Sequence, residues 1–344
     1  MMISYRAQRL LRQLGTTLLV LLVGAAVLLA CWFLWLQRYV VYTDGGARLD
    51  FSLSPNISQG EPARPDQTPQ PEIDFVYGDE IQQEKPEDLS LKRFSGYYVT
   101  ATDLQYSIDT VIRQLQELPD GSTVMLEMKT TKGEFFYSSK YGRVFEPALA
   151  ERIDQLIAQM VDKGHYLIAR IPAFQDHYYF EDDANRNTHG LLVKGTTTLW
   201  KDGRGDRWLN PESDGARGYL INIAAELRQL GFREVVFAQF QYPSSSSVQL
   251  PGDRLDSLNK TAAVLAGTCA TQTFTVSFMR EGIDLTIPEN YSRLYILYAI
   301  ATDVAQMAAN SGYADPASRL VFLTEQNDTR FDQCCVLRPI DMAH

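Results

Sequence analysis

The sequence predicts an α/β protein, a (β/α)8 barrel of the TIM type preceded by one N-terminal transmembrane helix. First, short apolar segments alternate with segments of helical periodicity from residue 94 onward, an order typical of parallel sheets. Second, about eight strand-like segments share roughly 250 residues, the usual size of such a barrel. Third, a long uncharged apolar run lies near the N-terminus. Because the last strand–helix units are short, we expect the C-terminal half of the barrel to be degenerate.

The apolar run predicts a membrane anchor. Residues 14–36 contain no charged side chain, and a helix of about 20 apolar residues crosses the hydrocarbon core of a membrane. The charged side chains of residues 1–13 are all arginines, so the positive-inside rule predicts a cytoplasmic N-terminus and an extracytoplasmic C-terminal domain. We predict an uncleaved signal anchor that crosses the cell membrane once. A lipoprotein processed at Cys31 is the alternative, although the apolar run continues beyond that cysteine.

Two segments of different composition follow the anchor. In residues 37–51, two short apolar stretches flank Asp44-Gly45-Gly46, which predicts a short hairpin in a juxtamembrane segment. Residues 52–92 contain six prolines separated mostly by polar and acidic residues. Such a segment buries too little apolar surface to fold and stays extended. We expect this linker to hold the globular domain, residues 93–344, away from the bilayer.

Apolar spacing defines the elements of the globular domain. From Ile108 to Leu118, apolar residues recur at the spacing of one helix face. Gly164 and Gly231 each follow a helical stretch and precede a strand-like one, as expected at helix C-termini. A long insertion occupies residues 173–211. The predicted strands are residues 97–100, 123–128, 166–171, 234–240, 274–278, 294–298, 320–323 and 334–337, and the predicted helices are residues 108–118, 149–163, 219–230, 253–266 and 303–309.

Composition excludes several classes of function. The net charge is −10, whereas a nucleic-acid binder normally presents a basic face. Four histidines without ligand spacing predict no metal site, and the absence of a phosphate loop or a Gly-x-Ser-x-Gly motif predicts no cofactor and no serine nucleophile. Whether Cys269 pairs with Cys334 or Cys335, or all three are reduced, stays open. Because the exterior is acidic, we expect any glycan partner to be neutral, or to bind in a local site where Arg170 and Lys129 offset the surrounding charge.

The ends of the predicted strands supply the candidate site residues, because barrel enzymes carry their chemistry at the C-terminal ends of the strands. Glu127 and Lys129 are two residues apart and so share one face of the second strand. The candidate catalytic residues are Glu127, Asp176 and Glu325, and the candidate substrate-binding residues are Lys129, Arg170, Trp200, Trp208, Asn210, Gln239 and Gln241.

Each candidate also has a purely structural interpretation. Trp200 and Trp208 either stack on sugar rings or fasten the insertion to the barrel. Arg170 either faces a ligand or joins a charge network at the top of the barrel. Asp176 is either an acid or the cap of a loop turn, and the serines of residues 244–247 form either a site loop or a flexible connection. The sequence leaves these alternatives open.

Several stretches carry a resemblance to a known family. They are Gly96-Tyr97-Tyr98-Val99-Thr100, Leu126-Glu127-Met128-Lys129, Ile168-Ala169-Arg170-Ile171, Trp208-Leu209-Asn210-Pro211 and Gly231-Phe232-Arg233-Glu234-Val235-Val236-Phe237. In this order they resemble the DUF4015 family of bacterial membrane-anchored or secreted proteins, which are similar to glycoside hydrolases. The resemblance implies a TIM barrel and a function that involves glycans.

The sequence also departs from the family pattern. The family continues its fourth strand as Phe-Asp-Tyr-x-Arg-Phe-Pro, whereas residues 237–243 read Phe-Ala-Gln-Phe-Gln-Tyr-Pro. Ala238 therefore stands at the family's aspartate and Gln241 at its arginine. Phe278 aligns with a further aspartate on the fifth strand. Glycoside hydrolysis normally requires two carboxylates that flank the scissile bond, and an alanine supplies neither a proton donor nor a nucleophile.

These features predict a membrane-anchored extracytoplasmic protein that binds a polysaccharide, a cell-wall glycan or another cell-envelope component, with impaired or lost hydrolysis. One alternative is an active glycosidase that uses Glu127 with Asp176 or Glu325. Another is a non-enzymatic scaffold that binds a protein in the cell envelope. A mouth filled by Phe278 and Tyr242 would make glycan binding doubtful.

Overall fold

The computed structural model describes residues 40–43, 46–49, 91–280, 282–287 and 291–343, and the chain divides into two compact units, Met1–Gln83 and Glu84–His344. In the first unit, strands β1 (Val40–Thr43) and β2 (Gly46–Leu49) pair antiparallel, which confirms the predicted hairpin. The predicted transmembrane segment, residues 14–36, lies outside the described residues, as does nearly all of the linker. Among the described residues, no helix is long and apolar enough to cross a membrane.

The second unit is built on a closed barrel of eight strands. Every strand pairs in parallel with the next one along the chain, and the last strand closes the barrel by pairing with the first. The predicted (β/α)8 barrel is therefore confirmed, and each of its predicted strands overlaps an observed one. The strands are β3 (Ser95–Val99), β4 (Thr123–Glu127), β5 (Tyr166–Pro172), β6 (Glu234–Ala238), β7 (Thr275–Arg280), β8 (Leu294–Ile296), β9 (Leu320–Leu323) and β10 (Cys335–Pro339).

The helices that connect the strands shorten toward the C-terminus, as the sequence predicts. The long helices follow β4, β5 and β6, whereas the helices near β9 have seven and four residues. Two helices were not predicted, Ala101–Tyr106 and Pro316–Arg319, because six and four residues are too few to show periodicity. The first of them has a signal of another kind. Its signal is a capping box in which Thr100 and Asp103 bond each other's backbone amides. The helices are α1 (Ala101–Tyr106), α2 (Ile108–Glu117), α3 (Pro147–Asp162), α4 (Asp214–Gln229), α5 (Arg254–Cys269), α6 (Val304–Asn310) and α7 (Pro316–Arg319).

Alternate side chains of each strand point into the lumen of the barrel. On β7, Met279 belongs to a cluster of buried residues that fills the lumen, whereas the neighbouring Phe278 packs with the helices outside. This period of two follows from strand geometry. We call the inner cluster the lumen core, and it comprises Met125, Ile168, Val236, Ala238, Met279, Tyr295, Val321, Cys335 and Leu337.

A buried polar network closes the lumen at the N-terminal ends of the strands. Glu234, the first residue of β6, is fully buried and accepts four hydrogen bonds. The donors are Arg293 Nη1 at 2.6 Å, Ser277 Oγ at 2.5 Å, and the hydroxyls of Tyr166 and Tyr295, each at 2.9 Å. Burial, followed by the charge of Glu234, raises the pKa of both tyrosines, so their hydroxyls stay protonated and donate. We call this set the basal network.

We predict that Glu234→Ala destabilises the domain by about 3–5 kcal/mol, because Arg293 would remain as an uncompensated buried charge. Denaturant unfolding followed by circular dichroism measures the change. The double variant Glu234→Ala/Arg293→Met should regain part of the lost stability, since it also removes the unpaired charge of Arg293. Lys260→Gln, which breaks an exposed ion pair with Asp256, should leave the midpoint unchanged. A wild-type midpoint for Glu234→Ala would contradict the role given to the network.

Candidate functional site

A cleft of about 620 Å³ opens at the C-terminal ends of the strands, which is where barrel enzymes place their active sites. We call it the mouth cleft. A second cleft of about 500 Å³ adjoins it and shares Tyr98, Thr100 and Glu325 as lining residues. The side chains of the mouth cleft that can meet a ligand come from the ends of β3, β5, β8 and β9, and they include Tyr98, Thr100, Arg170, Tyr298, Ile300 and Glu325.

Glu127 and Arg170 form an ion pair beside this cleft. They are directly opposite each other on β4 and β5, and Arg170 Nη1 lies 2.7 Å from Glu127 Oε1. The other carboxylate oxygen of Glu127 accepts a 2.8 Å hydrogen bond from the backbone amide of Ala101, the first residue of α1. Arg170 Nε also donates to the sulfur of Met279 at 3.3 Å. Both oxygens of Glu127 are therefore occupied, which fits the interpretation of a charge network at the barrel top.

The lumen positions of β6 and β7 that lie nearest the mouth carry no charge. Ala238 is buried in the lumen core at the end of β6. Phe278 faces outward, so the lumen position of β7 is Met279. Neither strand presents a carboxylate to the mouth.

Neither aromatic residue suspected of filling the mouth does so. Phe278 packs among the outer helices, and the hydroxyl of Tyr242 lies 2.7 Å from Ser257 Oγ on α5. The mouth cleft is open, and its depth is set by Met125 and Arg170.

Glu325 is the candidate carboxylate with most exposure to a ligand. It follows β9, is exposed, and has no hydrogen bond or ion pair with another described residue. Together with Asp341 and Asp103 it raises the pKa of Tyr98, although burial is the largest cause, and the resulting pKa is about 12. Tyr98 therefore keeps its proton at neutral pH and can donate a hydrogen bond inside the mouth cleft.

Tyr298 is a site residue that the sequence did not reveal. It is 83% exposed and lines the mouth cleft two residues after the end of β8. Its φ is +59°, and Gln239 directly after β6 has a φ of +50°. Left-handed backbone at non-glycine residues costs about 1–3 kcal/mol and clusters at ligand-binding sites. Tyr298 ended a predicted strand, so nothing in its local pattern distinguished it from a core residue.

Lys129 and Asp176 are brought together, but away from solvent. Both side chains are fully buried, and the Lys129 Nζ lies 2.6 Å from Asp176 Oδ2. The carboxylate also accepts the backbone amide of Tyr179 at 2.9 Å and the hydroxyl of Tyr219 at 2.8 Å. Gly133 (φ +103°) passes so close that a Cβ there would collide with the Asp176 carboxylate. The pair joins the loop after β4, the insertion and α4, as the structural interpretation of Asp176 expects.

The two tryptophans of the insertion are buried as well. Trp200 and Trp208 are 7% and 9% exposed, and their ring centroids are 6.4 Å apart. The indole of Trp200 donates to Ser247 Oγ at 3.0 Å, and that of Trp208 donates to Asp202 Oδ2 at 3.1 Å. These contacts agree with the interpretation that the tryptophans fasten the insertion to the barrel, because neither ring is exposed for stacking on a sugar. The bond from Trp200 also connects the serines of residues 244–247 to the insertion.

The remaining candidates lie outside the lining of the mouth cleft. Asn210 Oδ1 accepts the backbone amide of Glu212 at 3.1 Å and so shapes the turn before α4. Gln239 and Gln241 are half-buried after β6, and the carbonyl of Gln239 accepts the amide of Gln241 at 2.8 Å. Within the described residues, Cys269, Cys334 and Cys335 are buried free thiols, and no group of three or more potential ligands could hold a metal ion.

Comparison with known families assigns the domain. The DUF4015 family, described as "Putative glycosyl hydrolase domain", matches residues 96–270, which is just over half of the chain. The chain belongs to the DUF4015 family. The matched residues extend from β3 to α5 and include Glu127, Arg170 and Ala238. We call this part of the chain the DUF4015 domain. No curated protein sequence matches the chain.

A solved glycoside hydrolase structure shares the fold of the DUF4015 domain. A GH20 exo-β-N-acetylglucosaminidase from Vibrio harveyi matches with a TM-score of 0.50 at 13% identity, over 67% of this chain and 41% of that chain. A hypothetical protein from Ruminiclostridium thermocellum matches with a TM-score of 0.39 at 20% identity, over 53% and 96%. The glycoside hydrolase domain of PelA from Pseudomonas aeruginosa matches with a TM-score of 0.36 at 14% identity, over 59% and 66%. At 13% identity the likeness to the Vibrio enzyme shows the fold alone, and this chain spans less than half of that enzyme.

We predict that Glu325→Gln lowers the pKa of Tyr98 from about 12, because a nearby carboxylate disfavours the tyrosinate. The pKa should remain above 10, since burial is the larger cause. A pH titration followed by NMR of ¹³C-labelled tyrosine measures it, with the resonance assigned by Tyr98→Phe. Glu146→Gln, at the exposed start of α3, is the control and should change nothing. An unaltered titration of Tyr98 in Glu325→Gln would contradict the placement of Glu325 beside it.

We also predict that Trp208→Ala destabilises the domain by about 3–5 kcal/mol, the usual cost of removing a buried tryptophan. Cleavage within residues 173–211 by a protease should become faster, since the ring fastens that segment. Tyr106→Ala, at a tyrosine that is 75% exposed, is the control and should leave both stability and cleavage unchanged. Unaltered cleavage of Trp208→Ala would show that the insertion is held by other contacts.

Proposed function

We propose that the protein is a membrane-anchored, extracytoplasmic glycoside-hydrolase-like protein that binds a neutral glycan in the mouth cleft and has lost ordinary hydrolysis. The observation that carries the proposal is the pair of uncharged lumen residues at the mouth, Ala238 on β6 and Met279 on β7. The carboxylate next along the mouth, Glu127, is bound to Arg170 and to the amide of Ala101. A retaining or inverting mechanism requires two available carboxylates on opposite sides of the scissile bond.

The mouth cleft has features that suit a sugar. Tyr298 offers an exposed ring on which the apolar face of a pyranose can stack. Tyr98, Thr100 and Arg170 place hydroxyl and guanidinium groups in the same cleft, and these groups can bond sugar hydroxyls. Ligand sites commonly combine an apolar surface with a few fixed polar groups. The carboxylate of Glu325 can accept from a sugar hydroxyl but would repel an anionic polymer, which is why we propose a neutral polysaccharide or cell-wall glycan.

The location of the domain is part of the proposal. It is supported by the uncharged residues 14–36 and by the arginines before them, which favour a cytoplasmic N-terminus and a single crossing of the cell membrane. The proline-rich residues 52–92 would then give the barrel reach into the cell envelope.

A second candidate function is an active glycosidase that uses Glu325. It is favoured by the exposure of that carboxylate and by the absence of any partner for it among the described residues. Glu127 could join it only after leaving Arg170 or Ala101. The two candidates differ in whether product is formed, not in whether a glycan binds.

We predict that the full-length protein in neutral detergent is retarded by neutral polysaccharides in affinity electrophoresis, and that Tyr298→Ala weakens this binding about tenfold, which is 1.4 kcal/mol. Tyr106→Ala is the matched control, because that exposed tyrosine lines neither cleft. No binding to any glycan would favour the protein-binding scaffold instead.

Hydrolysis is tested on the same panel by release of reducing ends. We expect none from the wild type. Release that disappears in Glu325→Gln or Glu127→Gln would contradict the proposed loss of activity and establish the second candidate.

A further inference from the structure

The end of the barrel opposite the mouth carries two adjoining clefts. The larger has a volume of about 480 Å³ and the smaller about 170 Å³, and they share Gly164, His165, Arg233 and Thr273 in their walls. We call the pair the basal clefts. They lie at the N-terminal ends of the strands, a region that the proposed glycan site does not use.

The basal clefts concentrate positive charge in an acidic chain. Among the described residues that line them there are five cationic side chains and no carboxylate. One of the five, Arg293, is neutralised by Glu234. The other four have no carboxylate partner in the described part of the chain, and Arg93 donates only to the backbone carbonyl of Asp332. These four are Lys92, Arg93, Arg228 and Arg233. A cation cluster left without counter-charges in a concave site attracts anions.

A buried histidine in the same wall has an unused hydrogen-bonding atom. His165 is 4% exposed, and its Nδ1 lies 3.2 Å from the carbonyl oxygen of Ser122. A carbonyl only accepts, so Nδ1 carries a proton. Nε2 is buried and has no partner among the described residues. Buried polar atoms are nearly always paired, so an atom without a described partner, beside four cations that lack a described carboxylate partner, points to a ligand that bonds to it.

The chemistry of this set favours a phosphate group. Guanidinium groups bind phosphate oxygens through paired hydrogen bonds, and a protonated imidazole adds a further donor. A soluble hydrogen phosphate can instead donate to a neutral Nε2. The larger cleft also exceeds the size of a single ion, so it can hold the ester group attached to a phosphate.

We propose that the basal clefts bind a phosphate ester through Arg228, Arg233 and His165. The ester is either a soluble phosphate or the headgroup of an anionic phospholipid. The lipid source rests on the proposed membrane anchoring. It is supported by Lys92 and Arg93, which line the larger cleft where the chain enters the domain from its linker.

The first experiment uses inorganic phosphate as the probe and the full-length protein in neutral detergent. The sequence has four histidines, so ¹⁵N-histidine NMR resolves the ring of His165, assigned with His165→Gln. Phosphate should shift this resonance in a saturable manner, and Arg228→Gln/Arg233→Gln should weaken binding at least tenfold. Arg113→Gln/Arg254→Gln removes the same charge from exposed positions outside the basal clefts and should change it less than twofold. Glycan binding should be unaffected in both variants, which separates failure here from failure of the mouth site.

The second experiment distinguishes the sources. The protein is placed in nanodiscs of phosphatidylcholine with or without phosphatidylglycerol, and hydrogen exchange is measured for residues 91–94 and 163–166. Protection that requires phosphatidylglycerol and is absent in Arg228→Gln/Arg233→Gln assigns a lipid headgroup. A phosphate shift without such protection assigns a soluble phosphate ester.

The proposal would be overturned if the wild type showed neither the phosphate-induced shift nor the phosphatidylglycerol-dependent protection. Responses that arise only in Glu84→Gln/Glu87→Gln/Asp88→Asn would overturn it as well, because the acidic linker of the same chain would then be the occupant. The phosphate titration is measured on the wild type, and His165→Gln serves only to assign the resonance.

Discussion

In the closed barrel, successive side chains of each strand face alternately the lumen and the helices, and the chemistry of the mouth depends on this alternation. Because successive side chains face the lumen and then the helices, a single position decides whether a strand contributes to the site. On β6 that position is Ala238, and on β7 it is Met279. On β4 and β5 it is occupied by Glu127 and Arg170, which bind each other across the strand pair. The composition of the mouth is therefore determined by the few residues at the strand ends whose side chains face the lumen.

Local patterns were enough to predict the elements of the barrel. Apolar periodicity places all eight strands, and Gly164 and Gly231 mark helix ends correctly because both adopt positive φ. The shortening of the later helices was also readable from spacing. Which side chains of β7 face the lumen could not be predicted. Thr275–Arg280 is buried over most of its length, and the alternation of hydrophobicity disappears when both faces of a strand are covered.

Contacts between distant segments could not be predicted in the same way. The sequence offered Lys129 and Asp176 as separate candidates, 47 residues apart along the chain, and only the packing of the insertion on α4 brings them to 2.6 Å in a buried pair. Similarly, no local signal tells whether a tryptophan in a loop is covered, as Trp208 is. The net charge of −10 was equally uninformative about position, because four cations that have no carboxylate partner in the described part of the chain gather at one end of the domain.

The basal network and the mouth lie at opposite ends of the lumen, and this separation has a consequence for how the protein can evolve. Glu234 and Arg293 stabilise the barrel at its N-terminal end, so residues at the mouth are not needed for that contribution to stability. A buried aspartate at position 238 would have to be kept desolvated, whereas alanine there removes the desolvation cost while the sheet keeps all its hydrogen bonds. Under the proposed function, selection for stability and the loss of catalysis would act in the same direction. A lineage that retains the barrel only to hold a ligand would accumulate such replacements at the mouth and conserve the base.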